Sequence, residues 1–293
     1  QMKRILAALL LVCLLLSGCA VPAEQESPGN LVIHFIDVDQ ADCILMIAGE
    51  TTVMIDGGNT GTSWEVLSYL QRFGVDQIDL MVNTHPHGDH LGGLPTVLNN
   101  IPTDEIWCST TGYSSNLFNS FKKAADQQDL NIYHPAPGSV FQEGGLSVTV
   151  LGPLNSTDTY TDLNDTSLVL MVQFGQRRFL FTGDMESFAE QQLLSAHINL
   201  QADVLKVGHH GSYSSTSQAF LNAVDPDYGV ISCGRNNEYG HPHDAPVNRL
   251  NRADVELYRT DLMGSVVLVT NGEELAFFLE TANTNLTGYE KAA

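Results

Sequence analysis

Positive charge is scarce in this chain. Lys and Arg number 13 against 34 Asp and Glu in 293 residues, a formal charge of −21 with histidine neutral. Such a surface repels polyanions at long range. Beyond residue 18 only Arg177-Arg178 and Lys122-Lys123 form short basic clusters, so the basic stripe expected of a duplex nucleic-acid binder is missing. Cysteine is sparse as well. Cys43, Cys108 and Cys233 lie in apolar segments of the body, and three thiols cannot all pair, so they read as small buried hydrophobes. No low-complexity stretch divides the chain. The twelve-residue apolar run at 5–16 is too short to cross about 30 Å of hydrocarbon at about 1.5 Å per residue.

That run follows Lys3-Arg4 and precedes Ser17-Gly18-Cys19, the layout of a secretory signal. Residues 1–18 are therefore expected to be a signal and residues 19–30, polar with two prolines, a flexible tether. Loss of residues 1–18 removes two bases and no acid, leaving 11 bases against 34 acids and a charge of −23. Residues 31–283, in a chain with 43% apolar residues, are expected to form one domain, followed by a tail at 284–293.

Against these absences stands one concentration of ligand chemistry. Thr84-His85-Pro86-His87-Gly88-Asp89-His90 places three imidazoles and a carboxylate just after the apolar segment 78–83. In an extended stretch His85 and His87 face the same way, so both reach one ion, while Asp89 and His90 turn toward a second position. Imidazole nitrogen and carboxylate oxygen are what zinc accepts, at about 2.0–2.2 Å. A solvated loop that is merely rich in histidine is a poor account of four such groups in six residues.

Hydrophobic periodicity predicts strands at 31–38, 43–48 and 51–55, a helix at 63–73, and strand 78–83 delivering the cluster. Helices are expected at 89–99, 116–128, 186–196, 218–224 and 245–252. Further strands are expected at 146–151, 167–174, 178–182, 202–207, 228–233 and within 257–279. Two halves, each a sheet followed by helices, predict an α+β sandwich of two sheets with helices on both outer faces.

THPHGDHLGG resembles the His-x-His-x-Asp-His signature of the metallo-β-lactamase superfamily. FIDVDQADCIL, MIDGG, FTGD and LKVGHHGS, at residues 35–45, 54–58, 181–184 and 205–212, narrow the likeness to the hydrolase domain of the ComEC/Rec2 competence proteins. The resemblance implies the four-layer αββα fold and metal-assisted hydrolysis, with two zinc ions activating water and manganese as the substitute. His85, His87, Asp89, His90, Asp184 and His209 would be ligands, with Asp184 between the ions. Asp184 also suits a helix cap.

Of His209 and His210 one is expected to be a direct ligand. The reading places it at His209, with His210 supporting a neighbour or substrate. Asp89 would orient the attacking water, and His241 would donate a proton to the leaving group or complete one ion's shell. Ser212 and its neighbours to Ser215 offer hydrogen bonds or form a plain polar loop.

One departure from the family pattern concerns the first ion. Classical members place another histidine before the bridging aspartate, and His134 does not match that context. Asn164 or Asp165 stands in the corresponding place, facing metal, substrate or water. Leu16-Ser17-Gly18-Cys19 resembles a bacterial lipobox, which implies lipidation of Cys19 and an extracytoplasmic protein held at the lipid bilayer. The expected substrate is a phosphodiester of nucleic acid or the cell envelope, without duplex nucleic-acid affinity. The alternatives are a lactamase or lactonase and a non-catalytic metal-binding accessory to DNA uptake.

Overall fold

A computed structural model describes residues 29–155 and 161–280. The expected signal, the Cys19 lipidation site, the tether through residue 28 and the tail at 284–293 lie outside the described residues.

Within the described residues, β1 (Leu31–Phe35), β2 (Cys43–Ala48) and β3 (Thr51–Gly57) form an antiparallel meander. The chain then passes through helix Ser63–Arg72 into β4 (Ile78–Asn83), which runs parallel to β3. β5 (Thr103–Cys108) and β6 (Ile132–Tyr133) extend the sheet beyond β4. The second sheet is built from β7 (Val140–Glu143), β8 (Leu146–Gly152), β9 (Val169–Phe174), β10 (Arg177–Phe181), β11 (Val204–Lys206), β12 (Tyr228–Ile231) and β13 (Glu256–Arg259). β14 (Val266–Thr270) and β15 (Leu275–Leu279) return to the first sheet, whose order is β15-β14-β1-β2-β3-β4-β5-β6.

Alternation along the strands decides which layer each side chain joins. From β1, Leu31, Ile33 and Phe35 enter the space between the sheets, where they meet Val148, Phe174 and Phe181 from the facing sheet. Opposite-facing residues such as Leu45 and Met81 pack instead under Val66, Leu70 and Phe121 of the outer helices. Leu180 and Leu205 do the same on the other side, beneath Leu193, Phe220 and Leu250. The result is the four-layer αββα arrangement. Each fully buried Phe or Leu contributes roughly 1.5–3 kcal/mol relative to exposure.

Two local expectations are corrected and one strand is added. The single helix at 89–99 is two short ones, Gly88–Leu91 and Leu94–Leu98, broken at Gly92-Gly93. A Cβ at Gly93 would sit 2.0 Å from the Gly57 carbonyl oxygen, so the chain presses its backbone against β3 there. Thr103–Cys108 forms a strand that its mixed polar start conceals, and Thr260–Met263 is a helical turn inside the stretch expected to be strand.

Candidate metal centre

The loops that carry the acidic and histidine cluster leave the C-terminal ends of strands in parallel pairs, while Gln40, Asp42 and Asn164 join them from loops beside antiparallel strands. Asp56 closes β3, His85 to His90 follow β4, Asp184 follows β10, His209 and His210 follow β11, and His241 lies beyond β12. This is the edge at which open α/β sheets gather ligands, because the loops diverge there and leave a crevice. The crevice here is a cavity of about 330 Å³ lined by Gln40, Asn164, Tyr239 and His241 together with the acidic and histidine residues of the cluster.

Asp184 is central. Its Oδ1 lies 3.3 Å from His90 Nε2, and its Oδ2 lies 3.5 Å from His210 Nε2, 3.7 Å from His209 Nε2 and 3.9 Å from His85 Nε2. His210 Nε2 is also 3.3 Å from Asp89 Oδ2, and His85 Nε2 is 3.0 Å from His87 Nδ1. Ligand atoms of Asp89, His90, Asp184 and His210 all fall within 4.8 Å of one another. His85, His87 and Asp184 mark a second position beside that group.

The far nitrogens are fixed by protein partners. His90 Nδ1 pairs with Asp56 Oδ2 at 2.7 Å, and the same carboxylate accepts from the Thr84 hydroxyl at 2.6 Å. His210 Nδ1 donates to the Ser232 carbonyl at 2.9 Å, with Asp42 Oδ1 3.3 Å away. Each bond sets the tautomer that leaves Nε2 facing the acidic oxygens.

Burial and charge oppose each other throughout. Burial is the largest single influence and would lower the His90 and His210 pKa values, but the summed pull of the carboxylates reverses it, Asp184 with Asp56 for His90 and Asp184 with Asp42 for His210. His90 stands well above the usual imidazole range and His210 is raised to about 10. Burial lowers His85, reinforced by the nearby His90. Burial would raise Asp184, yet His210 and His90 hold it well below the carboxylate range.

The carboxylates of Asp42, Asp56 and Asp184 are all buried, while Lys206 is the buried permanent cation beside them. His90 Nε2, His210 Nε2 and Asp184 Oδ1 are buried without a hydrogen-bond partner. Unpartnered nitrogen and carboxylate oxygen converging on one point, with excess negative charge around them, fit a divalent cation. Asp89, His90, Asp184 and His210 are the residues placed to hold one, and His85 and His87 offer donors for another.

Residues 36–235 match the metallo-beta-lactamase superfamily. The chain belongs to that superfamily. It is 30% identical over 252 residues to ComE operon protein 3 of Bacillus subtilis, covering 80% of this chain and 32% of that protein. It is 34% identical over 252 residues to Recombination protein 2 of Haemophilus influenzae, covering 83% and 29% respectively. The chain thus spans about a third of the length of these curated relatives. The metallo-beta-lactamase fold protein YhfI from Bacillus subtilis superposes with a TM-score of 0.55 at 12% identity, over 83% of this chain and 100% of that one. At that identity the likeness concerns the fold alone.

Within the superfamily framework, several sequence expectations change place. The turn after β11 gives His209 and His210 left-handed backbones (φ 48° and 53°), which carries the buried His210 into the acidic group. Left-handed geometry at two adjacent non-glycine residues is costly and tends to mark functional sites. His209 instead pairs through Nδ1 with Glu186 Oε1 at 3.0 Å and stays partly exposed. The structure therefore groups His210, not the expected His209, with Asp89 and His90.

Asn164 and Asp165 separate across a helical turn. Asp165 Oδ1 accepts from the backbone N–H of Glu186 at 2.9 Å and of Ala189 at 3.3 Å, capping helix Ser187–Ser195, whereas Asn164 lines the cavity with its Oδ1 unpartnered. Asp165 does not line the cavity, and the cap that Asp184 also suited is supplied by Asp165. Ser212 is buried against Ser214, at 2.9 Å between hydroxyls, and does not line the cavity. His134 bonds the Cys108 carbonyl, away from the centre.

His241 does reach the cavity. Gln40 Oε1 is occupied by the Gly234 N–H at 3.1 Å, so its amide NH₂ faces His241 Nδ1 at 3.1 Å and the ring proton sits on Nε2. Burial, with His210 and His209 nearby, lowers His241 to about 4, which makes it a neutral hydrogen-bond donor at pH 7. Asp42, Asp56, Gln40 and Glu186 were not singled out by sequence. Gln40, Asp42 and Asp56 lay inside the quoted FIDVDQADCIL and MIDGG segments, whereas Glu186 carried no signal beyond its closeness to Asp184.

Proposed function

We propose that the chain is a metal-dependent phosphodiesterase acting outside the cytoplasm. The observation that carries the metal part is the convergence of unpartnered His90 Nε2, His210 Nε2 and Asp184 Oδ1 in a buried, acid-rich pocket. Bound divalent ions, zinc or manganese, would supply Lewis acidity at a phosphoryl oxygen and lower the pKa of a water toward neutrality. Asp89 is the cluster carboxylate that remains open to the cavity, with 30% of its side chain exposed, and it accepts a hydrogen bond from the attacking water. The Nε2–H of neutral His241 donates to a phosphoryl oxygen.

Asn164 Oδ1 stands in for the classical histidine as an oxygen ligand. Its supporting features are burial, the missing partner and its place on the cavity wall. An oxygen in that role widens the choice of metal to include manganese. The signal-like layout of Lys3-Arg4, the apolar run at 5–16 and Ser17-Gly18-Cys19 supports placement outside the cytoplasm, with a lipidated Cys19 as the bilayer anchor. The acidic surface argues against affinity for duplex nucleic acid.

The test joins metal analysis by mass spectrometry to hydrolysis of bis-para-nitrophenyl phosphate, for wild type, His87→Ala and Asp184→Ala. Metal-dependent turnover in the wild type that drops to background in both variants supports the reading. Equal behaviour of all three proteins sinks it.

A further inference from the structure

No Lys or Arg lines the cavity, so outside a metal centre it offers an anionic ester no positive side chain. Its other contacts must supply the remaining affinity. Among the large apolar side chains exposed in the described residues, Tyr239 is the one that lines this cavity, and the residue is 60% exposed. Its ring lies nearly parallel to His241, 24° between planes and 5.7 Å between centroids. His241 in turn lies 6.2 Å from the His210 ring with 29° between planes, so a row of rings leads from the rim to the acidic group.

The rim is braced. Asn237 Oδ1 accepts from the Tyr239 N–H at 3.1 Å and the His241 N–H at 3.0 Å, while its amide donates to the Gly234 and His241 carbonyls at 2.8 and 2.6 Å. A single exposed tyrosine is ordinary on a surface. A braced one at the mouth of a cavity without Lys or Arg is a platform set in advance, at little cost in conformational entropy.

We propose that Tyr239 determines specificity by stacking on a flat conjugated ring attached to the phosphoester, so that the preferred substrates carry such a ring next to the scissile bond. This rests on the phosphodiesterase reading. A cavity of about 330 Å³ is at the small end of ligand pockets and suits one ester group with one such ring. Offset stacking of the substrate ring on Tyr239 gives affinity with little demand on ring identity.

The test separates binding from turnover. Phenylphosphonate and methylphosphonate monoesters are titrated by NMR into metal-loaded wild type, Tyr239→Ala, Tyr239→Phe and the distant control Tyr133→Ala, and melting curves confirm folding. Hydrolysis of phenyl and methyl para-nitrophenyl phosphate, which share a leaving group, is measured in parallel.

Wild type, Tyr239→Phe and Tyr133→Ala are expected to prefer the phenyl ligand. Tyr239→Ala is expected to lose that preference through weaker phenyl binding, by roughly 5- to 150-fold. A phenyl preference that survives in Tyr239→Ala, or is absent from the wild type, overturns the proposal. If binding follows the expected pattern but neither ester is hydrolysed, the phosphodiesterase reading fails while the stacking role stands.

Discussion

Lys206 Nζ lies 2.7 Å from Asp42 Oδ2, and neither side chain reaches solvent. Lys206 ends β11 in one sheet and Asp42 precedes β2 in the other, so this ion pair ties the halves together at the floor of the site. Burial would raise the Asp42 pKa, but Lys206 and His210 together hold it below the carboxylate range. Lys206→Met leaves a buried carboxylate without its cation, at a cost of about 3–5 kcal/mol in urea unfolding. The double variant Lys206→Met/Asp42→Asn recovers part of that loss. A single variant as stable as wild type would refute the pairing as a structural tie.

Much of this site was legible because its chemistry is local. The spacing of His85, His87, Asp89 and His90 announced metal, and strand Ile78–Asn83 and helix Gln218–Val224 have the limits that their patterns predict. What stayed hidden depends on contacts between distant segments or on backbone reversals. Nothing near Lys206 in sequence points to Asp42. Strand alternation gives no warning that His209 and His210 both turn left-handed, and it is that turn which brings the His210 ring beside Asp89. Asn164 and Asp165 look equivalent in sequence, but one short turn sends the first to the cavity and the second to a helix end.

Gly93 tests the fit between the ligand loop and β3. A Cβ there would meet the Gly57 carbonyl at 2.0 Å, and Gly57 adjoins Asp56, which holds both Thr84 and His90. Gly93→Ala is expected to lower unfolding free energy by about 1–3 kcal/mol, since backbone must shift to admit the methyl group. It should also weaken zinc binding in a chelator competition, because the displaced Asp56 no longer fixes His90. Wild-type stability and affinity would mean that the loop yields freely.

Acid sensitivity should arise in part far from the metal centre, at His34. Its Nδ1 lies 3.1 Å from the Tyr69 hydroxyl and its ring packs on Phe73 at 4.4 Å. Burial, with the Arg72 charge adding to it, holds its pKa down to about 3 from an ordinary 6.5. Above pH 6.5 both folded and unfolded states carry a neutral ring. Below it the unfolded chain takes up the proton first, so stability falls by up to about 1.4 kcal/mol per pH unit until about pH 3. Metal-free His34→Gln should show a shallower loss between pH 6.5 and 5 than metal-free wild type. Parallel curves would rule out His34 as a contributor.

The exchange of His209 and His210 yields the sharpest test of the ligand set. His210 Nε2 is buried, unpartnered and within 3.5 Å of oxygens from both Asp89 and Asp184, while its Nδ1 is fixed by the Ser232 carbonyl. His209 is partly exposed and engaged with Glu186. A cation held by Asp89, His90, Asp184 and His210 stabilises the fold by mass action, about 4 kcal/mol when free metal is a thousandfold above Kd. His210→Ala should therefore lose one equivalent of bound metal after dialysis and most of the melting shift on adding zinc. His209→Ala should keep that equivalent, since none of the four ligands is touched. The reverse ranking would make His209 the direct ligand, and would require the left-handed turn after β11 to rearrange when metal binds.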